Sequence, residues 1–347
     1  IDYELDLWSN FTYFLDDPVG GDQFKQKDKR TIFGGSYENL WIGNTESFTE
    51  HRFGMDFRHD AIDEVGLYRS RDREITGSIR EDQVDESSIS SFYEMSFDLE
   101  TNWRAVLGLR ADAYKFKVKS KDYNQTDDDS DFIISPKASI AYAFSDNNEM
   151  YFSYGNGFHS NDVRAAVNTI DPVTGDPTNS LDVLVEGKGS EIGFRYDSLT
   201  GFNLSFTYYQ LKIDSELVFV GDAGTTEPGD PSRRDGFELT TFWEINDRLV
   251  FDASATKSDG YFLGLPSNEN AIPDAHDTIF SAGLTYAGFG EGWTSSIRIR
   301  HFGDATLTED EVIKKDASTL LHFGISYTHK QWEIGLDVLN LLDRDDD

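Results

Sequence analysis

Histidine, serine and aspartate occur together in one short stretch, His159-Ser160-Asn161-Asp162-Val163-Arg164, so chemistry is sought there first. A hydroxyl next to a histidine that an acid orients would be a nucleophile. A triad needs three side chains that converge in space, and neighbours on one polar segment do not converge. No GxSxG elbow, HExxH helix or phosphate-cradling glycine loop occurs in the chain. Cysteine is absent, which removes thiol nucleophiles, thiolate metal sites and disulfides. With 64 acidic residues, pairs of carboxylates arise by chance and do not point to glycoside hydrolysis. Catalysis is not expected. Binding suits these residues better. His159, Asn161 and Arg164 offer polar contacts to a ligand, and Arg233 and Arg234 add two guanidinium forks that match carboxylate or phosphate. Asp214 and Glu216 are the acids expected to pair with those forks.

Composition limits what could hold such residues. The 347 residues are 38% hydrophobic, with a mean hydropathy of −0.52. No window approaches the roughly 18 uninterrupted apolar residues of a transmembrane helix. Aromatics nevertheless reach 14%, beside 29 glycines. That mixture fits strands of which every second residue meets lipid. A net charge of −33 excludes a surface that neutralises nucleic-acid phosphates. It equally opposes docking to a cytoplasmic leaflet, which needs basic residues. The opening IDYELDLWSN has neither the basic nor the apolar part of an export leader, so a leader is expected outside this chain.

Period-2 alternation runs from end to end and no helical period competes with it. In 103–114, Trp103, Ala105, Leu107 and Leu109 oppose Arg104, Arg110 and Asp112. In 202–209, Phe202, Leu204, Phe206 and Tyr208 oppose Asn203, Ser205 and Thr207. Fifteen such segments are predicted, at 3–15, 29–42, 46–59, 88–100, 103–118, 131–144, 149–157, 189–198, 202–213, 235–246, 248–258, 276–289, 292–303, 316–328 and 331–341. Most reach the roughly 9–11 residues a tilted strand needs to cross a bilayer.

Short turns are expected at 43–45, 101–102, 145–148, 199–201, 247 and 329–330, and long polar loops at 60–87, 119–130, 158–188, 214–234, 259–275 and 304–315. That contrast is the outer-membrane arrangement, with turns periplasmic and loops extracellular. Trp41, Trp103, Trp243, Tyr286, Trp293, Tyr327 and Trp332 gather beside the turns as an interfacial girdle. The fold class is therefore all-β, a transmembrane antiparallel β-barrel occupying 1–347 as one domain. Arg104, Arg110, Arg195, Arg298, Arg300 and His322 fall on its polar inner face. The run Asp127, Asp128, Asp129, Asp131 reads as an acidic loop tip where calcium could bind, and no other cofactor is expected. The acidic exterior suits ligand loops in water, or a lipopolysaccharide surface bridged by divalent cations.

Several stretches resemble the barrel of TonB-dependent receptors: YFSYGNGFHSNDVRAA (151–166), LVEGKGSEIGFRYD (184–197), DGFELTTFWEINDRLVFDASAT (235–256), IISPKASIAYAF (133–144) and LDVLNLLDRDDD (336–347). The usual Pro-Glu is replaced in the second. They follow in the family's order over 103–347, whereas the N-terminal third resembles it in strand pattern. The resemblance implies about 22 strands around a plug domain. It also implies a TonB energy-coupling partner and uptake of a scarce small molecule such as a siderophore, cobalamin or saccharide. On that reading the terminal strand, about six upstream strands and the plug lie outside this chain. The rival readings are a passive porin, whose long loop would fold into the pore, and a soluble β-rich adhesin or carbohydrate-binding protein.

Overall fold

A computed structural model of the chain describes residues 1–9, 14, 18–43, 49–98, 102–121, 125–166, 182–198, 200–215, 217–220 and 225–344. Strands come first in chain order as β1 (Asp2–Trp8), β2 (Gln23–Gly43), β3 (Thr49–Arg71), β4 (Glu74–Asp98), β5 (Trp103–Ser120) and β6 (Gln125–Ser145). After β7 (Asn148–Ser160) a single helical turn, α1 (Val163–Ala166), lies in the connection to β8 (Leu184–Asp197). Then follow β9 (Phe202–Ile213), the loop pair β10 (Leu217–Val220) and β11 (Thr225–Pro228), β12 (Ser232–Asn246), β13 (Leu249–Phe262), β14 (Thr278–Tyr286) and β15 (Trp293–Phe302). A second loop pair, β16 (Ala305–Thr306) and β17 (Lys314–Lys315), precedes β18 (Ser318–His329) and β19 (Trp332–Val338).

Leaving out the two loop pairs, fifteen strands join in one antiparallel sheet whose spatial order is the chain order. Each of the fifteen predicted segments corresponds to one of them. The alternation explains why these segments are strands and how they face. Leu107, Phe206, Trp243 and Leu336 are 48%, 41%, 42% and 61% exposed, so they do not form a central core. The polar residues between them face the opposite side of the wall. A soluble β-sandwich would have buried those four against a second sheet, which disposes of the adhesin reading.

The girdle aromatics sit where predicted, at the short-turn ends. Trp103 packs on Tyr142 at 4.5 Å, Trp293 on Tyr327 at 4.8 Å and Phe202 on Trp243 at 5.8 Å between ring centroids. Trp41 stacks on His51 and leans on Tyr93. The expected turn at 43–45 is described at Gly43 alone, 101–102 at Asn102, and 199–201 at Thr200 and Gly201.

Two predicted loops are strands instead. Residues 60–87 continue β3 and β4 as one long hairpin, closed where Arg71 pairs with Glu74 around Asp72 and Arg73. Both of those central residues have positive φ, 53° and 65°, the geometry whose twist matches a two-residue hairpin. Its usual Asn-Gly signature is absent, and polar residues on both faces hid the strand. Most of 119–130 likewise belongs to β5 and β6. The acidic run is consequently no loop tip. It lies within β6, with Asp128 on one face and Asp127, Asp129 and Asp131 on the other. Among the described residues, no cluster of three or more histidine or acidic side chains is arranged to hold a metal ion.

A charge on the outward face must enter hydrocarbon, whereas one on the inward face meets a polar wall. Leu107→Arg is expected to destabilise the folded barrel by about 2–4 kcal/mol, and the inward Ser205→Arg by under about 1 kcal/mol. Equilibrium unfolding in lipid vesicles measures both.

Candidate functional site

The inner face carries charge in pairs. Near the short-turn end, Glu149 on β7 accepts from Arg104 on β5 and, at 3.2 Å, from Arg195 on β8. Arg195 also lies over the Tyr151 ring at 4.1 Å, and Tyr151 shares a hydrogen bond with Thr207 at 2.8 Å. Higher up, Arg110 grips Asp112 through two nitrogens and reaches Ser90 at 2.8 Å and Asp56 at 3.3 Å. Arg298 makes a two-pronged contact with Asp252 at 2.8 and 2.9 Å. Arg300 is exposed and makes no ion pair among the described residues. His322 accepts from the Asn340 backbone N–H at 3.3 Å, as a wall histidine would. Four of the five inward arginines are therefore held by acids of the same strand, the next strand or the next but one.

The loop residues have separate fates. His159 is the penultimate residue of β7 and is exposed. Asn161 is buried, its side chain donating to Asp182 O at 2.7 Å and its amide to Val183 O at 2.7 Å. It ties the two ends of the connection together. Arg164, in α1, closes back on Asp162 with Nε 3.0 Å from both carboxylate oxygens. Arg233 and Arg234 belong to β12 and face opposite ways. Arg233 pairs outside with Asp235 at 2.7 Å, while Arg234 reaches Ser232 at 3.1 Å inside. Arg233 thus takes Asp235 rather than the expected Asp214, and Glu216 lies outside the described residues. The five residues do not converge on one point.

Above Gly155, β7 leaves β6 while staying paired with β8. The freed end of the β7–β8 hairpin folds inward over β3 to β6. Val163, Ala166, Val183 and Leu184 pack there on Ile62, Val84, Phe116 and Val118, with Phe158 edge-on to Tyr114 at 6.2 Å. The Leu184 amide donates to Asp131 at 3.1 Å. Arg80 and Asp82, nearly fully buried beneath, pair with each other, and Arg80 reaches the Arg164 carbonyl at 3.2 Å.

Where the hairpin bends, Gly155 faces Gly189 and Gly157 faces Gly187. These two cross-strand glycine pairs floor an inward depression of about 850 Å³. Ser139, Ser153, His159, Glu191, Tyr209 and Glu238 stand around it. Of the sequence-proposed binders, His159 alone reaches this depression. The signal for the rest was present in the repeated GxG spacing of 155–157 and 187–189, which reads as bare strand until register places the glycines opposite.

The family model of the TonB dependent receptor-like beta-barrel matches residues 2–341. The chain belongs to the TonB-dependent receptor family. Its fold is similar to that of the ferric citrate transporter FecA in unliganded form, with a TM-score of 0.77 and 13% identity. That match covers 93% of this chain and 51% of FecA. The ferric yersiniabactin uptake receptor FyuA from Yersinia pestis aligns over 93% of this chain and 50% of its own, at TM-score 0.74 and 13% identity. The copper transporter OprC aligns over 99% of this chain and 55% of its own, at 0.75 and 16%. The chain thus spans about half the length of these structures. No curated protein matches it. Members of this family are transporters, not enzymes, and the fold is a transmembrane barrel wall.

Asp162 sets a pH limit on the inward hairpin of the receptor. Burial alone would raise its carboxyl, but the Arg164 guanidinium and backbone N–H outweigh this and hold it below the usual value. A lowered folded-state value means stabilisation that is complete at neutral pH and is lost as pH falls through it. The protection factor of the Asn161 amide, its exchange relative to an unstructured amide at the same pH, should be high at pH 7 and fall below about pH 4. Asp162→Asn should show low protection at both, and wild-type protection that ignores pH would contradict the assignment.

Proposed function

We propose that the chain forms part of the wall of an outer-membrane uptake receptor that captures a scarce small molecule and passes it inward using energy supplied through TonB. The observation that carries this is the inward-folded β7–β8 hairpin beside a glycine-floored depression, in a wall of receptor family. Backbone exposed at glycine pairs lets a ligand approach the wall closely, and Tyr209 gives it a ring to lie against. His159, Glu191, Glu238, Ser139 and Ser153 supply polar contacts around that ring. The ligand class is a siderophore, cobalamin, saccharide or similar molecule. The partners are a plug domain, the TonB protein and the lipopolysaccharide-bearing outer membrane in which the barrel resides.

An inward-folded loop is also what a porin would have. The passive reading is not favoured, since both the family model and the similar structures are of receptors or transporters. Energy coupling separates the two. Cells that carry the full-length gene are given radiolabelled iron–siderophore complexes, cobalamin and oligosaccharides, with and without a protonophore. Saturable uptake of one of them that stops with the protonophore is expected. Uptake that rises linearly with concentration and ignores the protonophore would establish a channel. For the ligand taken up, Tyr209→Ala should raise the half-saturating concentration about tenfold, the loss of one good aromatic contact.

A further inference from the structure

The outer face of β3 to β6 changes character within one rung. Phe57, Ile89, Ala113 and Phe132 lie side by side on four neighbouring strands, and Phe57, Ile89 and Phe132 are 46%, 54% and 59% exposed. Two residues further from the short turns, the same face presents His59, Ser87, Lys115 and Ser130. From Trp103 to Ala113, at about 3.3 Å per residue and about 40° of tilt, the wall rises about 25 Å, the height of an apolar belt. Lys115 therefore stands at the upper edge of the hydrocarbon.

The two rungs enclose a surface depression lined by Ser87, Ile89, Ala113, Lys115, Ser130 and Phe132. Its lower half is apolar and its upper half offers an ammonium and two hydroxyls; Asp131 also borders it, its carboxylate accepting from the backbone amides of Phe132 and Leu184. His59 donates to or accepts from Ser87 at 2.8 Å and so fixes that hydroxyl. Lys115 is exposed and has no ion-pair partner among the described residues, and its lateral neighbours Ser87 and Ser130 are uncharged. Above it, Lys117 and Lys119 project on the same face, exposed and likewise without an ion pair among the described residues. Among the described residues, Asp85 and Asp128 are the acids paired across from these lysines, on either side of Lys117 and one rung further out. In a chain with 64 acidic and 31 basic residues, three consecutive outward lysines at the belt edge are a local reversal of charge.

We infer that this depression binds the phosphorylated headgroup of an outer-leaflet lipid, with the phosphate on Lys115 and Ser130 and the first acyl carbons against Ile89, Ala113 and Phe132. An ammonium is a compact donor suited to phosphate. The apolar lower half has no use for a free anion, which is why a lipid fits and a soluble phosphate does not. The site rests on the membrane-facing reading of the wall and is independent of which ligand is transported.

The test uses the full-length receptor in detergent micelles. The probes are a bisphosphorylated lipid A, the same lipid after phosphatase treatment, and inorganic phosphate, with bound lipid counted by native mass spectrometry. Heat-dependent gel mobility confirms in each case that the barrel is folded. The wild-type receptor should retain the phosphorylated lipid and release the dephosphorylated one. Lys115→Glu should weaken retention about tenfold or more, as losing one hydrogen bond to a charged group does, and Lys115→Arg should keep it. Equal retention of both lipids, unchanged retention by a folded Lys115→Glu, or displacement of the lipid by millimolar inorganic phosphate would each overturn the site. Failure of the receptor to form a folded barrel in any micelle would instead strike at the membrane reading, independently of Lys115.

Discussion

Hydrocarbon offers no hydrogen bonds to a backbone, so a chain that crosses it as strands must pair every N–H and C=O with a neighbouring strand. The rest of this structure depends on that constraint. It makes the wall a continuous ladder, fifteen strands in which spatial order equals chain order. It also fixes side-chain facing, because a ladder with unbroken register sends alternate residues to opposite sides. Apolar residues then occupy one side and paired charges the other. Arg104 with Glu149 and Arg298 with Asp252 are consequences of this division. Each arginine points into the lumen because its neighbours along the strand point into lipid.

The wall departs from strict pairing at the β7–β8 hairpin. β7 gives up its ladder to β6 above Gly155, and the exposed end of the hairpin turns inward. The inturned end packs on protein, with Val163, Val183 and Leu184 against Phe116 and Val118. The glycines at the bend have no side chains to fill the space they open. Departure from the ladder, the apolar patch beneath it and the bare floor beside it are one feature.

Strand identity was legible in the sequence because the membrane enforces it twice, through period and through length. Leu107, Phe206, Trp243 and Leu336 all face outward as their alternation requires. The girdle was legible for the same reason. What lay above the belt was less so. In 60–87 and 119–130 both faces meet water or protein, the alternation fades, and strands pass for loops although the ladder continues. The site was harder still. Asn161 and Arg164 look like ligand contacts in the sequence, but each is engaged within its own loop. Arg233 and Arg234 are adjacent, and adjacency in a strand puts them on opposite sides of the wall. The depression depends on Gly155 meeting Gly189, a relation of register between distant segments that no local pattern contains.

Because the chain has no cysteine, single cysteines placed one at a time along 103–119 would each carry a spin label without interference. The receptor is reconstituted in lipid bilayers, and accessibility to oxygen and to a water-soluble nickel complex is measured at every position. A lipid-facing wall requires odd positions from 103 to 113 to be open to oxygen and closed to nickel, and even positions to lack the oxygen signal. From Lys115 outward, the odd positions must turn accessible to nickel. A profile without period 2, or one whose oxygen maxima fall on Arg104, Arg110 and Asp112, would contradict the wall as described.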